Sequence, residues 1–370
     1  MRAWVNPLFS PLGPIPPELV LDREHVERLR RGSVVGASGE RWRAGLLTSR
    51  GRSGDRPSNI SGWSARSSSP YRIDSLPRRL RLGTFLALLL AAALHAASLG
   101  AETTPTALPG AEAVVYAERN GEPLRLFVVK PIGWQAGDRR PALMFFFGGG
   151  WTTGTPASSV FWARFAANLG MVGLAPDYRT KGRHDTPPQA AVADSRAALH
   201  WVEEHAAALG IDPARIAVGG NSAGGHVALW TAITAAPPGS SPNESPRLKP
   251  AALILFSSVS DTSQETGYTP QRFGADTLAL SPVHQLDAHM PPMLVFHGDA
   301  DQTVPLRQSV ALRDRLIASG NTCELHIVPG GGHNFGQDVP AWQEKSRELM
   351  HDFLERLDLL PRNRSVAKPE

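Results

Sequence analysis

The chain has 370 residues, of which 42% are hydrophobic and 19% charged. This composition fits one large globular domain or two ordinary ones, and it excludes a coiled coil or a wholly disordered chain. The net charge of +4 is unevenly placed, because residues 1–101 carry 15 arginines against 7 acidic residues. The remainder is mildly acidic, so we expect no nucleic-acid partner. The single cysteine, Cys323, excludes an intramolecular disulfide and a cysteine-rich metal site.

The first hundred residues divide into two segments. Residues 1–75 mix Arg, Ser, Gly and Pro without an apolar period, which predicts a disordered segment or one upstream of the true start of translation. Residues 76–101 combine an arginine cluster, an apolar run over residues 82–99 and small residues near the end. This order is typical of a secretory signal peptide, so we expect export to the periplasm or the medium. An uncleaved segment would instead anchor the chain in a membrane.

The main part of the chain, residues 102–370, alternates strand-like and helix-like segments. Strands are predicted at residues 114–116, 124–130, 142–147, 171–176, 215–219, 251–256, 293–297 and 324–328. Helices are predicted at residues 160–168, 188–209, 222–234, 306–318 and 341–357. The first two strands flank Asn120-Gly121, a strong hairpin signal. The alternation predicts an α/β fold with a mostly parallel sheet, helices on both faces and a short insertion at residues 258–290.

A serine stands between a predicted strand and a predicted helix. Gly220-Asn221-Ser222-Ala223-Gly224 fits the pattern G-x-S-x-G, and a sharp strand-to-helix turn is the context that a nucleophilic serine of this type requires. The alternative interpretation is a serine that caps the helix.

An acid and a base follow Ser222 in the chain order that such a site requires. A free serine hydroxyl needs a base, and the base needs an orienting carboxylate. Asp301 follows one predicted strand and His333 lies in a glycine-rich loop after the next. We expect these two residues to be the acid and the base, with Asp299 as the competing acid. His297, next to them, is expected to support the loop.

A glycine-rich loop follows the third predicted strand. Glycines allow backbone N–H groups to turn toward a developing oxyanion, so the expected donors are the amides of Gly149, Gly150 and Ala223. The loop lacks the Lys-Ser/Thr ending of a phosphate-binding loop. Aromatic side chains are candidates for lining the acyl or sugar side of the substrate, although aromatic residues are more often part of a core; they are Trp151, Phe161, Trp162 and Tyr268.

These motifs resemble the α/β-hydrolase superfamily, and within it the bacterial acetyl esterase and lipase group with its acetylxylan- and feruloyl-esterase-like members. The segments that carry the resemblance are 147–151, 177–179, 211–216, 220–226, 297–305 and 320–335. The resemblance implies the α/β-hydrolase fold, with Ser222, Asp301 and His333 as nucleophile, acid and base. It also implies a structural arginine, and we predict that Arg179 pairs with a carboxylate, Asp194 being the first candidate.

Two positions depart from the family pattern. Phe147 stands where related lipases often have histidine before the glycines, and Asn221 stands where many relatives have an acid before the nucleophile. We expect both changes to leave the catalytic groups in place.

The sequence therefore predicts an exported serine esterase that needs no metal or organic cofactor. The insertion is short and no long apolar lid is evident, which favours short acyl groups, with acetyl or feruloyl esters of plant polysaccharide implied by the resemblance. One alternative is a peptidase of the prolyl-oligopeptidase type, although residues 1–101 are too short and irregular for its usual propeller. The other is a non-catalytic binding protein with a hydrolase-like fold. The sequence does not indicate the oligomeric state.

Overall fold

A computed structural model describes residues 103–361 apart from 242 and 244. The predicted disordered segment at 1–75 and the predicted signal peptide at 76–101 lie outside the described residues. Within the described part of the chain, no helix is both long enough and apolar enough to cross a membrane.

The described residues form one eight-stranded sheet with the order β1-β2-β4-β3-β5-β6-β7-β8. The strands are β1 Glu112–Arg119, β2 Glu122–Val129, β3 Arg140–Phe146, β4 Val172–Pro176, β5 Ile211–Asn221, β6 Ala252–Phe256, β7 Met293–Gly298 and β8 Cys323–Val328. Strand β2 pairs antiparallel with both β1 and β4, and every other pair is parallel. The mostly parallel sheet confirms the predicted α/β-hydrolase fold.

The opening hairpin forms where the sequence places it. Asn120 and Gly121 link β1 to β2, and both have positive φ angles, 53° and 81°. Two positive φ values in a two-residue loop define the turn whose twist matches that of paired strands. Asn-Gly is therefore the local cause of the hairpin.

Helices cover both faces of the sheet, as predicted. Their bounds are α1 Val160–Asn168, α2 Lys181–His184, α3 Pro188–Glu204, α4 Ala206–Leu209, α5 Ala223–Ala232, α6 Arg307–Ala318, α7 Phe335–Asp338 and α8 Ala341–Arg356. Helices α3, α5 and α6 pack on one face, and α1 and α8 pack on the other. After β6, the insertion contains three short 3₁₀ helices, at Pro270–Arg272, Gly274–Asp276 and Pro282–His284.

Alternation along β3 explains why its sequence is continuously apolar. Met144 and Phe146 point into the core beneath α3 and α5, whereas Leu143 and Phe145 point into the core beneath α1 and α8. All four side chains are fully buried. A strand with helices on both sides has no solvent-facing positions, so its sequence shows a continuous run and no polar alternation.

Several boundaries shift by one to three residues, and two differ more from the predicted elements. The helix predicted over residues 188–209 is interrupted at His205, whose ring stacks on Trp201 and whose N–H donates to the Trp201 carbonyl. Strand β5 begins at Ile211, four residues before the predicted start, because Ile211 pairs with Arg140 across a register shift in β3. Neither change moves the carboxyl end of β5.

The predicted pairing of Arg179 with Asp194 is confirmed. Arg179 follows β4, and its Nε and Nη2 each lie 2.8 Å from an oxygen of Asp194 on α3. The Arg179 backbone N–H and Arg119 Nε bond the same carboxylate, which is fully buried. This network attaches the loop after β4 to α3 and to the end of β1.

Removing the carboxylate would leave these arginines without their buried partner. We predict that Asp194→Ala lowers the free energy of unfolding by about 3 kcal/mol or more, since breaking a buried ion pair leaves an uncompensated charge. Chemical denaturation measures the change. Arg139→Gln is the matched control, because Arg139 pairs with Asp212 at 3.0 Å while its side chain stays 72% exposed. The surface variant should lose less than about 1 kcal/mol, and equal losses in the two variants would contradict the prediction.

Candidate active site

Ser222 occupies a strained turn between β5 and α5. Its backbone angles are φ 54° and ψ −122°, a conformation that L-residues rarely adopt and that costs on the order of 1–3 kcal/mol. Its N–H donates to the Phe256 carbonyl at the end of β6, at 2.9 Å. The side chain lies at the carboxyl edge of the sheet and is 7% exposed. The turn places the hydroxyl next to the amino terminus of α5.

The flanking glycines are required by close packing. A Cβ at Gly220 would collide with the backbone of Gly224, and a Cβ at Gly224 would collide with the carbonyl oxygens of Phe146 and Phe147. Helix α5 therefore crosses both β5 and the end of β3 at backbone contact distance. The two glycines of the G-x-S-x-G pattern are therefore required by the close packing of helix and strands.

Asp301 and His333 come together at the same edge of the sheet. Asp301 follows β7, His333 follows β8, and Asp301 Oδ2 lies 2.8 Å from His333 Nδ1. The carboxylate is fully buried, whereas the imidazole is 20% exposed. Because the acid bonds Nδ1 of this partly exposed imidazole, Nε2 is left as the nitrogen that could act on a substrate.

The other carboxylate of this loop, Asp299, bonds the backbone and has no described contact with His333. It is exposed, and its Oδ1 accepts the backbone N–H of Gly330 at 2.7 Å. Asp299 thus braces the loop that carries His333, and the structure pairs His333 with Asp301.

Several donors hold Asp301 in its ionised form. Burial by itself raises the pKa of the Asp301 carboxyl, but hydrogen bonds from His297, His333 and the Val304 N–H outweigh burial and hold that pKa well below its usual range. His297 is fully buried; its Nε2 lies 3.2 Å from Asp301 Oδ2 and 2.8 Å from the Val304 carbonyl. The expected support of the loop by His297 therefore includes direct contact with the acid.

The sheet aligns the three candidate catalytic groups. Strands β5, β6, β7 and β8 are neighbouring and parallel, so the segments carrying Ser222, Asp301 and His333 all leave the sheet at one edge. In the described part of the chain, the Ser222 hydroxyl makes no hydrogen bond to His333. Hydrogen bonds between nucleophile and base are often long before substrate binds.

The glycine loop after β3 has three consecutive positive φ angles, at Gly149, Gly150 and Trp151. The Gly149 carbonyl accepts the N–H groups of Thr152 and Thr153, which closes the turn. Among the described residues, no acceptor takes a hydrogen bond from the N–H of Gly149 or Gly150. The N–H of Ala223, in the first turn of α5, has no partner within the helix. The three predicted donors therefore lie in this loop and at the start of that helix.

The four candidate aromatic side chains separate into two pairs. Trp151 packs edge-on against Phe273 of the insertion and lies 6.3 Å, between ring centroids, from Tyr268. Phe161 and Trp162 belong to the core on the opposite face. Trp151 is 1% exposed and belongs to the core beneath α3 and α5, so packing accounts for it as well as for Phe161 and Trp162, and the predicted contact with substrate rests on Tyr268.

Both departures from the family pattern leave the loop in position. The Phe147 ring is buried and stacks on Tyr178 with 4.0 Å between centroids, and the Tyr178 hydroxyl donates to the Phe147 carbonyl at 2.7 Å. The Asn221 side chain lies against Gly148, where a Cβ would collide with its Nδ2. Each residue therefore contacts the backbone that precedes the candidate donors.

One histidine at the site has a tighter environment than the sequence indicates. His226 of α5 is fully buried, and its Nε2 lies 2.8 Å from the Leu280 carbonyl of the insertion. Trp151 packs edge-on against its ring. Burial lowers the pKa of His226 to about 4, so the ring is neutral at pH 7.

Among the described residues, one group of side chains has ligand atoms close enough together to hold a metal ion: His351, Asp352 and Glu355 on α8. Asp352 and Glu355 are exposed. The group belongs to the last helix and shares no residue with the candidate site.

The low pKa of His226 makes stability depend on pH. In the unfolded chain the pKa of histidine is about 6.5, whereas the pKa of His226 in the folded protein is about 4. Between these two pH values, the unfolded state is protonated at His226 and the folded state is not. The stabilisation is complete above pH 6.5 and is lost as the pH falls toward 4. We predict that this residue alone removes about 2–3 kcal/mol between pH 7 and 4.5.

The measurement is chemical denaturation of the wild type and of His226→Gln at both pH values. The variant keeps an amide donor for Leu280 but has no titrating ring, so its loss of stability on acidification should be smaller by that amount. The same loss in both proteins would show that His226 does not titrate as expected.

The chain is similar to known esterases. A family model described as BD-FAE matches residues 133–316. Carboxylesterase NlhH of Mycobacterium tuberculosis is 41% identical over 228 residues, which cover 56% of this chain and 71% of NlhH. Esterase LipC of the same organism is 29% identical over 219 residues, and the chain spans about half of its length, 53%.

Among solved structures, a thermophilic esterase of the Planctomycetes species Thermogutta terrifontis aligns with a TM-score of 0.63 and 38% identity. The alignment covers 69% of this chain and 97% of that one. The chain belongs to the α/β-hydrolase esterase family.

Proposed function

We propose that this protein is a serine carboxylesterase that hydrolyses short-acyl esters through an acyl-enzyme. The observation that supports it most is the Asp301–His333 pair, placed at the sheet edge where the strained turn presents Ser222. The glycine loop after β3 adds backbone donors to the same edge. Nucleophile, base, acid and donors are the parts that acyl transfer to serine requires.

In the acylation step, Ser222 Oγ attacks the ester carbonyl carbon while His333 Nε2 takes its proton. Asp301 holds the imidazole in the tautomer with the proton on Nδ1 and stabilises the imidazolium that forms. The C–O bond to the alcohol then breaks, and His333 returns the proton to the departing oxygen. The buried, strongly hydrogen-bonded carboxylate suits this role because it stays ionised.

The tetrahedral intermediate carries its negative charge on the former carbonyl oxygen. The N–H groups of Gly149, Gly150 and Ala223 are the proposed donors to that oxygen, each worth about 2.7–4 kcal/mol in the transition state. Water then attacks the acyl-enzyme with His333 as base, and the carboxylic acid leaves.

The proposed substrate is a short-acyl ester, with acetyl or feruloyl groups on plant polysaccharide as the finer hypothesis. The Thermogutta terrifontis esterase is described with propionate bound and with butyrate bound, which supports a small acyl group. The BD-FAE match is consistent with acetyl- or feruloyl-ester chemistry. The insertion after β6 contains only short 3₁₀ helices, so the described chain has no long lid helix over this edge.

Variants of the three catalytic candidates test the mechanism. We predict that Ser222→Ala lowers kcat toward p-nitrophenyl acetate and butyrate by roughly 10⁴-fold or more, because no nucleophile remains. Asp301→Asn should lower kcat by roughly 10³–10⁴-fold, since the imidazole then loses its orienting charge.

Asp299→Asn is the matched control, because Asp299 lies two residues from Asp301 and the substitution removes the same charge. Among the described contacts, the Asp299 carboxylate bonds only the loop backbone. It should keep kcat within about threefold. Equal rates for Ser222→Ala and wild type would reject the mechanism. Turnover of prolyl peptides without ester turnover would instead favour a peptidase.

We also propose that the protein is exported, on the signal-like pattern of residues 76–101. A mature chain would then begin near residue 101, shortly before the first described strand.

Expression of the full chain in a bacterial host tests export. We expect the periplasmic or extracellular fraction to contain a protein whose N-terminal sequence begins near residue 101. A chain that retains Met1 or the apolar run of residues 82–99 would contradict cleavage, and fractionation with membranes would then favour anchoring.

A further inference from the structure

An arginine of the insertion reaches the glycine loop. Arg272 ends the 3₁₀ turn at Pro270–Arg272, and its Nη1 donates to the Gly150 carbonyl at 2.6 Å. Gly150 also supplies one of the proposed oxyanion donors. The guanidinium therefore lies directly beside the loop at which the ester carbonyl is expected to bind.

The charge of Arg272 is not neutralised within the described residues. Arg179 and Arg183 each pair with a buried aspartate, Asp194 and Asp177. Arg272 is exposed, and the one hydrogen bond described for its side chain goes through Nη1 to a neutral carbonyl. A guanidinium has five N–H groups, so the edge formed by Nε and Nη2 remains open to a ligand.

Tyr268 stands four residues before Arg272 in the insertion and near the loop that carries Gly150. The side chain is half-buried, and burial raises the pKa of Tyr268, while the positive charge of Arg272 lowers it and the negative charge of Asp301 raises it. Both charges therefore act on the same hydroxyl. The Tyr268 ring also tilts against Trp151, the residue that follows Gly150.

The backbone that carries Arg272 is fixed in place. Its N–H donates to the Thr269 carbonyl at 3.0 Å, and the next residue, Phe273, is 1% exposed. Phe273 packs against the rings of Trp151 and His226. An arginine on a rigid turn loses less conformational entropy when it binds a ligand than one on a free loop.

We propose that Arg272 and Tyr268 form an anion-binding subsite that favours esters carrying a carboxylate in either the acyl or the alcohol part. The inference rests on the proposed esterase function and names a substrate class for it. The open Nε–Nη2 edge matches the two oxygens of a carboxylate, and the Tyr268 hydroxyl is an additional donor. Arg272 is thus a specificity residue that leaves the reacting atoms to Ser222 and His333.

Matched ester pairs test the subsite. 4-Acetoxybenzoate and 4-acetoxybenzamide differ by a charge in the alcohol part, and monomethyl adipate and methyl adipamate differ by a charge in the acyl part. We expect Arg272→Gln to lower kcat/KM about 10-fold for the charged member of at least one pair, mainly through KM, and to change the neutral member less than about twofold. The affected pair identifies the part of the substrate that carries the carboxylate. Arg272→Lys, which keeps the charge without the planar fork, should retain part of the preference.

Arg139→Gln is the control for net charge, because Arg139 precedes β3 and lies at the opposite edge of the sheet. It should leave all four rates unchanged. If Arg272→Gln lowers kcat/KM equally for charged and neutral esters, Arg272 only holds the glycine loop in place. If no kcat/KM changes, Arg272 neither holds the loop nor binds the carboxylate. Either result overturns the proposed subsite. Failure of the wild type to hydrolyse the neutral esters would instead count against the proposed function itself.

Discussion

The conformation of Ser222 is the constraint on which the rest of the site depends. A φ of 54° at a residue with a side chain is unfavourable, and it persists only because the surroundings fix both neighbours. Gly220 and Gly224 let β5 and α5 meet at backbone contact, and the Phe256 carbonyl holds the Ser222 N–H. The packing energy of the sheet and helix thus maintains a strained turn that lifts the hydroxyl out of the strand.

The same sheet also keeps the buried carboxylate of Asp301 ionised. Burial favours the neutral acid, so the ionised form of Asp301 needs donors that are already in place. The loop after β7 supplies the Thr303 and Val304 N–H groups, and His297, still within β7, supplies a ring nitrogen. These groups are fixed by the end of a strand, so little reorganisation is needed when positive charge develops on His333.

Local patterns predicted the parts of the molecule that local physics determines. Asn120-Gly121 specifies its turn, the apolar run of β3 specifies a strand buried on both faces, and the glycines around Ser222 specify a close crossing. Chain order placed the expected acid in the loop after β7 and left Asp299 as the competitor, and in the structure Asp301 makes the contact to His333.

What the sequence left open are contacts between distant segments. Trp151 and Trp162 were both candidates for lining the substrate, yet Trp151 packs against the insertion and Trp162 belongs to the core beneath α1 and α8. Arg272 and Gly150 are 122 residues apart, and no periodicity or turn signal links them. Such contacts depend on the path of the insertion, which short irregular turns determine.

That insertion is attached to the catalytic framework at its far end as well. The Leu280 carbonyl lies within hydrogen-bond distance of His226 Nε2 and Trp230 Nε1, at 2.8 and 3.2 Å, and both residues belong to the helix that begins after Ser222. Two donors from one helix on one buried acceptor fix the insertion relative to the nucleophile. The segment between Tyr268 and Phe273 is therefore held on a rigid base, so changes of side chain there would alter the proposed subsite and leave in place the strand ends that carry the candidate catalytic groups.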